Sequence, residues 1–177
     1  MVYLARHGET EWTISGRHTG LTDLPLTERG ERNACRLEER LRGVRFTKVF
    51  TSPLQRARRT CELAGFGAVA VIDPDLIEWN YGEYEGRITA DIHRERPDWQ
   101  LFRDGCPGGE SPYDVAIRAD RAVQRVRAVE GNVLIFFKRA FSPRTRRSLA
   151  RPRRYARQIL CAEHREPECI GLRTQPV

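Results

Sequence analysis

Four short apolar runs, each parted from the next by a stretch of helical pattern, restrict this chain more than anything else in it. They fall at residues 2–5, 48–52, 68–72 and 133–136. The first helical stretch starts at Thr27 as N-cap, runs to about residue 42 and stops before Gly43. The second is opened by Pro53 at its first position. Two more cover residues 89–96 and 111–129, the latter with Val115, Ile117, Ala119, Ala122, Val123, Val126 and Val129 as its apolar set. The order β-α-β-α-β-α-α-β predicts an α/β fold. Parallel strands need crossovers, and crossover helices cover both faces of the sheet, giving a three-layer α/β/α domain around a mostly parallel sheet.

The chemistry-bearing residues sit where such a sheet presents its ligands. Arg6-His7-Gly8-Glu9-Thr10 follows the first strand directly, at the carboxyl end where open α/β sheets bind. His7 carries a ring nitrogen able to attack phosphorus, and Arg6 a planar fork of donors for phosphate oxygens. Ser52-Pro53-Leu54-Gln55-Arg56-Ala57 places Arg56 in the first turn of a helix, where free N–H groups already favour an anion. Arg58 and Arg59 face elsewhere and are expected in solvent. The loop over residues 11–25 holds Ser15-Gly16-Arg17-His18-Thr19-Gly20 and reads equally as a flap over a substrate or as a solvated connector. In Leu76-Ile77-Glu78-Trp79-Asn80-Tyr81-Gly82-Glu83-Tyr84-Glu85-Gly86, aromatics alternate with carboxylates and glycines, as in a pocket wall. Glu78 is the candidate general acid, with Glu83 and Glu85 as competitors. Cys106 has no base near it in sequence and is discounted as a nucleophile.

These residues resemble the histidine phosphatase superfamily, the phosphoglycerate-mutase-like proteins, over residues 1–136. The resemblance rests on Arg6-His7-Gly8-Glu9-Thr10, Thr19-Gly20-Leu21-Thr22-Asp23, Ser52-Pro53-Leu54-Gln55-Arg56-Ala57, Glu78 with Tyr81-Gly82, and Gly108-Gly109-Glu110-Ser111. The stretch from Glu78 to Gly86 and Arg103-Asp104-Gly105-Cys106-Pro107 look like the branch of sugar-bisphosphate phosphatases of sedoheptulose-bisphosphatase type and related acid phosphatases. The resemblance implies a phosphohistidine at His7, phosphoryl oxygens held by Arg6 and Arg56, and proton transfer by Glu78. Thr19, Gly20 and Tyr81 would complete the substrate site. It implies a small phosphorylated metabolite, a sugar phosphate, as substrate, with no metal and no organic cofactor. Thr13 stands where many members have Asn, which points from a mutase toward a phosphatase. The alternatives are phosphoglycerate-mutase-type transfer and a non-catalytic phosphate-binding module.

The chain departs from this pattern after residue 136. Family members carry a second histidine in a Gly-His pair just past the corresponding strand; here the chain reads Phe137-Lys138-Arg139-Ala140-Phe141-Ser142-Pro143, and His18, His93 and His164 all lie elsewhere. Read one nucleotide later, the codon of Lys138 gives Ser or Asn, that of Arg139 permits Gly, and that of Ala140 followed by Phe141 permits His. Glu163, His164, Glu166 and Glu168 become Ser/Asn, Thr/Ile, Ser/Asn and Ser/Asn, which suits the family's closing strand. Residues 137–177 are therefore expected to be an out-of-frame, poorly ordered tail whose loss of the second histidine impairs activity, and the sheet is expected to lose an edge. Charge marks the same boundary. Residues 138–177 hold 11 Lys+Arg against 3 Asp+Glu, a balance of +8, so the net charge of +7 leaves the rest of the chain at −1. The neutral body argues against a nucleic-acid partner; a genuine basic tail for nucleic acid or an acidic partner is the competing reading.

At 177 residues one domain is expected. No apolar run is long enough for a membrane span, and the chain goes into its first strand without a basic, apolar leader. The five cysteines are odd in number and fit no metal spacing. They read as thiols of a reducing compartment, and a cytoplasmic protein is expected. A homo-oligomer is left open.

Overall fold

The computed structural model describes residues 1–137 together with the backbone of Gln158–Leu160. Its centre is a parallel sheet of five strands: β1 (Val2–Arg6), β2 (Lys48–Thr51), β3 (Ala70–Ile72), β4 (Val133–Phe137) and β5 (Gln158–Leu160), in the order β3-β2-β4-β1-β5. All four ladders are parallel, with Val2 opposite Val133 and Arg6 opposite Phe137. Among the described residues the helices are α1 (Glu11–Ile14), α2 (Glu28–Leu41), α3 (Gln55–Leu63), α4 (Thr89–Glu95), α5 (Leu101–Asp104) and α6 (Pro112–Arg127). Short 3-10 turns lie at Pro74–Leu76 and Gly82–Tyr84.

The alternation of side chains along each strand builds the layers. Tyr3, Ala5, Val49, Leu134 and Phe136 pack with Leu37 and Leu41 of α2 and Cys61 of α3. The residues between them, Leu4, Phe50, Val133, Ile135 and Phe137, meet Ala122 and Val126 of α6 on the other face. β4 is buried along its full length because it has neighbours on both edges and helices on both faces. A third cluster, Trp79, Tyr81, Tyr84, Ile92, Trp99, Cys106 and Val115, forms a separate aromatic floor under the segment that carries Glu78.

The three-layer α/β/α expectation matches this architecture, and the details differ where local chemistry was misjudged. Residues 11–14, taken as loop, are helical because Thr10 and Thr13 close a reciprocal capping box, with Thr in the place of the usual Glu or Gln. α5 is a second four-residue helix absent from the expected order. Pro53 does not open α3. That helix begins at Gln55, whose amide is capped from a distance by Asp23 Oδ1 at 2.8 Å. Thr27 and Ser111 do cap α2 and α6, and Gly43 takes φ +84° beyond α2. Ile117, one of the apolar set read for α6, is 41% exposed. The sheet, expected to lose an edge, has β5 paired beside β1. Apart from Phe137, which ends β4, and the backbone of β5, the expected tail lies outside the described residues.

Candidate functional site

The loop leaving β1 is pinned from three sides. His7 N–H donates to Phe137 O at 3.2 Å, carrying the β1–β4 ladder one residue past the strand. Gly8 N–H donates to Thr60 Oγ1 at 3.0 Å, and that hydroxyl donates to Arg56 O at 2.7 Å, tying the loop to α3. Thr27 N–H donates to Glu9 O at 2.9 Å and Thr27 Oγ1 to Glu9 Oε1 at 2.9 Å. The start of α2 comes so close that a Cβ on Gly8 would stand 2.5 Å from Gly30 O, and one on Gly30 2.3 Å from Glu9 O. Only glycine fits at both places.

His7, 1% exposed, is held within this loop. Its Nδ1 lies 2.7 Å from Gly8 O. A carbonyl can only accept, so Nδ1 carries the proton, and in the neutral ring the lone pair lies on Nε2. Arg6 closes β1 beside it, in register with Phe137.

Arg56 is the second residue of α3 and equally buried, 1% exposed. Its Nη1 donates to Thr22 O at 2.9 Å and Nη2 to Gly20 O at 2.7 Å. Burial pulls the guanidinium below its ordinary pKa, opposed by the carboxylates of Glu78, Asp23 and Glu85. Thr19 is buried and donates to Arg17 O at 3.2 Å. Gly20 lies so close to the Glu78 segment that a Cβ would meet Trp79 O at 2.2 Å. Arg17 and His18 of the same loop differ in setting: Arg17 is exposed, while His18 stacks on Tyr81 at 4.7 Å with 30° between the rings.

Of the three competing carboxylates, Glu78 is buried (5% exposed), Glu83 is exposed, and Glu85 spends Oε1 on two backbone amides. Glu78 Oε1 accepts from Trp79 N–H at 2.9 Å. The backbone on either side is gripped by one ion pair. Arg118 donates to Ile77 O at 2.6 Å and Asp75 O at 3.1 Å, and makes a two-point bridge to Glu110 at 2.7 and 3.0 Å. Glu110 Oε2 in turn accepts from Asn80 N–H at 2.8 Å, and Glu110 O from Trp79 Nε1 at 3.0 Å. Tyr81 is buried, and burial, with Glu78 adding to it, pushes its phenol well above its ordinary pKa.

The structure thus links Arg56, Gly20, Glu78 and Tyr81 into one cluster and joins His7 to Arg56 through Gly8 and Thr60. It leaves Arg58 exposed and pairs Arg59 with Glu31 and Glu62 at the surface. Burial raises the Cys106 thiol to about 11, which removes it as a nucleophile. Thr60 and Arg118 were not singled out from sequence; Glu85 entered there only as a rival to Glu78, and Glu110 only within Gly108-Gly109-Glu110-Ser111. For Arg118 the signal was present: a cation between Val115 and Ala122 on the apolar stripe of α6 needs a buried partner.

Residues 2–142 match the family described as the histidine phosphatase superfamily, branch 1. Among similar proteins, sedoheptulose 1,7-bisphosphatase of Saccharomyces cerevisiae is 41% identical over 147 residues, covering 70% of this chain and 54% of that protein. An acid phosphatase of Mycobacterium tuberculosis is 43% identical over 122 residues, covering 68% and 60%. A functionally characterised open reading frame of the same organism superposes with a TM-score of 0.72 at 36% identity, over 82% of this chain and 75% of that one. A phosphoglycerate mutase of Thermus thermophilus superposes with a TM-score of 0.62 at 35% identity, over 77% of each chain. The chain spans little more than half the length of the curated relatives it matches. Among the described residues no helix is long and apolar enough to cross a membrane.

Proposed function

Because this chain belongs to the histidine phosphatase superfamily, we propose that it is built to hydrolyse small phosphomonoesters, sugar phosphates foremost, through a phosphohistidine at His7. The observation that carries this reading is the tautomer: with the Nδ1 proton committed to Gly8 O at 2.7 Å, His7 Nε2 is the nucleophilic atom. Nε2 attacks phosphorus as the bond to the ester oxygen breaks. Arg6 and Arg56 hold the phosphoryl oxygens and balance charge as it develops. Glu78 gives its proton to the departing alkoxide, then takes one from the water that splits the P–N bond, so both enzyme groups return to their starting state. The sugar-phosphate assignment is supported by the name of the yeast relative. Phosphatase over mutase is supported by Thr13, whose hydroxyl is engaged in both directions by Thr10: it donates to Thr10 O at 2.7 Å and accepts from Thr10 N–H at 2.8 Å. A cytosolic site of action fits the free thiols of Cys35, Cys61 and Cys106.

The same reading assigns this chain reduced turnover, since Lys138-Arg139-Ala140 stands where the family resemblance implies a Gly-His pair. Removing one oxyanion donor from such a site costs about 10²–10³ in rate. The test is steady-state phosphate release from 4-nitrophenyl phosphate and from a panel of sugar phosphates. The expected result is slow release that His7→Ala abolishes, with an acid-labile phosphoryl group trapped on the unsubstituted chain. Release that survives His7→Ala overturns the mechanism, and saturable phosphate binding without release favours the non-catalytic binding module.

A further inference from the structure

Arg56 grips no side chain of the loop beside it; it grips two backbone carbonyls, Gly20 O and Thr22 O, at 2.7 and 2.9 Å. The amides of those same two residues donate to one atom, Glu85 Oε1, at 2.7 and 3.1 Å. Residues 20–22 are therefore a strut with a guanidinium on its carbonyls and a carboxylate on its amides. We infer that Glu85 is a positioning residue for the phosphate clamp: by fixing residues 20–22 it fixes the plane of the Arg56 guanidinium without itself touching phosphate. The inference rests on the reading of Arg56 as a phosphoryl-binding group and names what holds that group in place.

Three further observations support it. The backbone just after Glu85 is sewn to the same loop: Gly86 N–H donates to His18 O and His18 N–H to Arg87 O, each at 2.8 Å, beside an antiparallel bridge between Arg17 and Ile88. Glu85 is thus anchored to what it orients. The fit around the strut is close: a Cβ on Gly20 would stand 2.7 Å from Glu85 Oε2 and 2.2 Å from Trp79 O, so residue 20 has no room for a side chain. Finally, Glu85 Oε2 is buried with no hydrogen-bond partner among the described residues. A carboxylate kept in that setting is costly, and two amides on its other oxygen are a structural return for the cost.

The electrostatics make the inference testable by sign. Glu85 is a negative charge close enough to be felt at Arg56. As a charge alone it repels an anion, and removing it should tighten phosphate binding. As a strut, removing it frees the loop and should weaken binding. The experiment is calorimetric titration of the full 177-residue chain with inorganic phosphate, each variant first shown to melt cooperatively. Glu85→Ala is expected to weaken phosphate binding about tenfold, the lower end of the scale on which supporting partners act. Glu85→Gln, which keeps an oxygen for the two amides, is expected to stay within about threefold of the parent. Should Glu85→Ala not fold, Glu85→Asp takes its place: it keeps the charge but draws the carboxylate back by one methylene, so charge alone predicts no change and the strut predicts weakening. Phosphate binding by Glu85→Ala, or by Glu85→Asp in its stead, that equals or exceeds the parent's overturns the inference, provided Arg56→Ala binds weakly. If Arg56→Ala binds like the parent, or the parent does not bind phosphate, the reading of Arg56 itself fails and the inference falls with it.

Discussion

Replacing Arg118 by Met removes a cation that joins three segments at once. Its side chain is 9% exposed and makes a bidentate bridge to Glu110, itself 21% exposed, while donating to the carbonyls of Ile77 and Asp75. Breaking a buried pair from one side costs about 3–5 kcal/mol, because the remaining charge is left buried and unpaired. Water reaches Glu110 in part and Asn80 N–H still serves its Oε2, so the lower end applies, about 3 kcal/mol. For a chain of this size that lowers Tm by roughly 6–12 °C, at about 2–4 °C per kcal/mol. Arg118→Lys, which keeps the charge but not the fork, is expected to lose about half as much. The assay is thermal unfolding followed by circular dichroism at fixed pH and salt. A second effect follows from where the carbonyl and amide lie. Ile77 and Asn80 bracket Glu78, so a slackened grip displaces the proton donor. Alkyl phosphates, whose leaving groups need that proton, should then lose about tenfold more rate than 4-nitrophenyl phosphate, whose leaving group does not. A Tm within 2 °C of the parent would refute the energetic argument, and equal loss on both substrates would refute the positioning of Glu78.

Thiol chemistry should be confined by burial. Cys61 is raised to about 12 and Cys106 to about 11, in both cases by burial first, so at pH 8 only about 10⁻⁴ and 10⁻³ of each is thiolate. Brief iodoacetamide treatment followed by peptide mass mapping should modify exposed Cys35 and spare both; labelling of Cys61 in the folded protein would contradict the packing under α3. Acid should weaken the junction of α6 with the turn after β3. Asp75 is held below its ordinary pKa by hydrogen bonds from Arg121 and Arg125. A carboxyl whose folded pKa is depressed contributes its stability above the unfolded value near 3.8 and loses it as pH falls toward the folded one. Tm should therefore fall faster below about pH 4 in the parent than in Asp75→Asn, and parallel curves would exclude the effect.

What could be read from sequence was what repeats or stands beside a marker. The short apolar runs of the strands, the caps Thr27 and Ser111, and His7 at the end of β1 are all local patterns, and local patterns survive folding. What was missed is held together across sequence. Asp23 caps α3 from 32 residues away, Glu85 serves amides more than 60 residues upstream, and Thr60 ties α3 to the His7 loop across 52 residues. A carboxylate with such a task looks, in one dimension, like any other acidic residue. Glu85 was weighed only as a rival to Glu78, since composition cannot tell a proton donor from a backbone acceptor.

The boundary after β4 sets the last prediction. β4 is buried through Phe137 and paired on both edges, an intact central strand, and the family match continues only to residue 142. The next residues are Lys138-Arg139-Ala140, and with them begins the stretch that carries the whole positive balance of the chain. A selected tail has no reason to begin within a few residues of where family likeness ends and also to become restricted, one nucleotide later, to Ser/Asn and Thr/Ile at Glu163, His164, Glu166 and Glu168. An inserted base has reason to do both, and the codons of Phe136 and Phe137 supply the run of T in which one arises. Resequencing codons 134–142 from the source DNA is expected to show one surplus T. A protein expressed from the corrected frame should release phosphate about 10²–10³ times faster than this chain, the worth of one restored phosphate-clamp group. If the printed frame stands in the DNA, the shift is wrong. The lysine and arginines after β4 then belong to the protein, and phosphate binding without turnover becomes the reading to pursue.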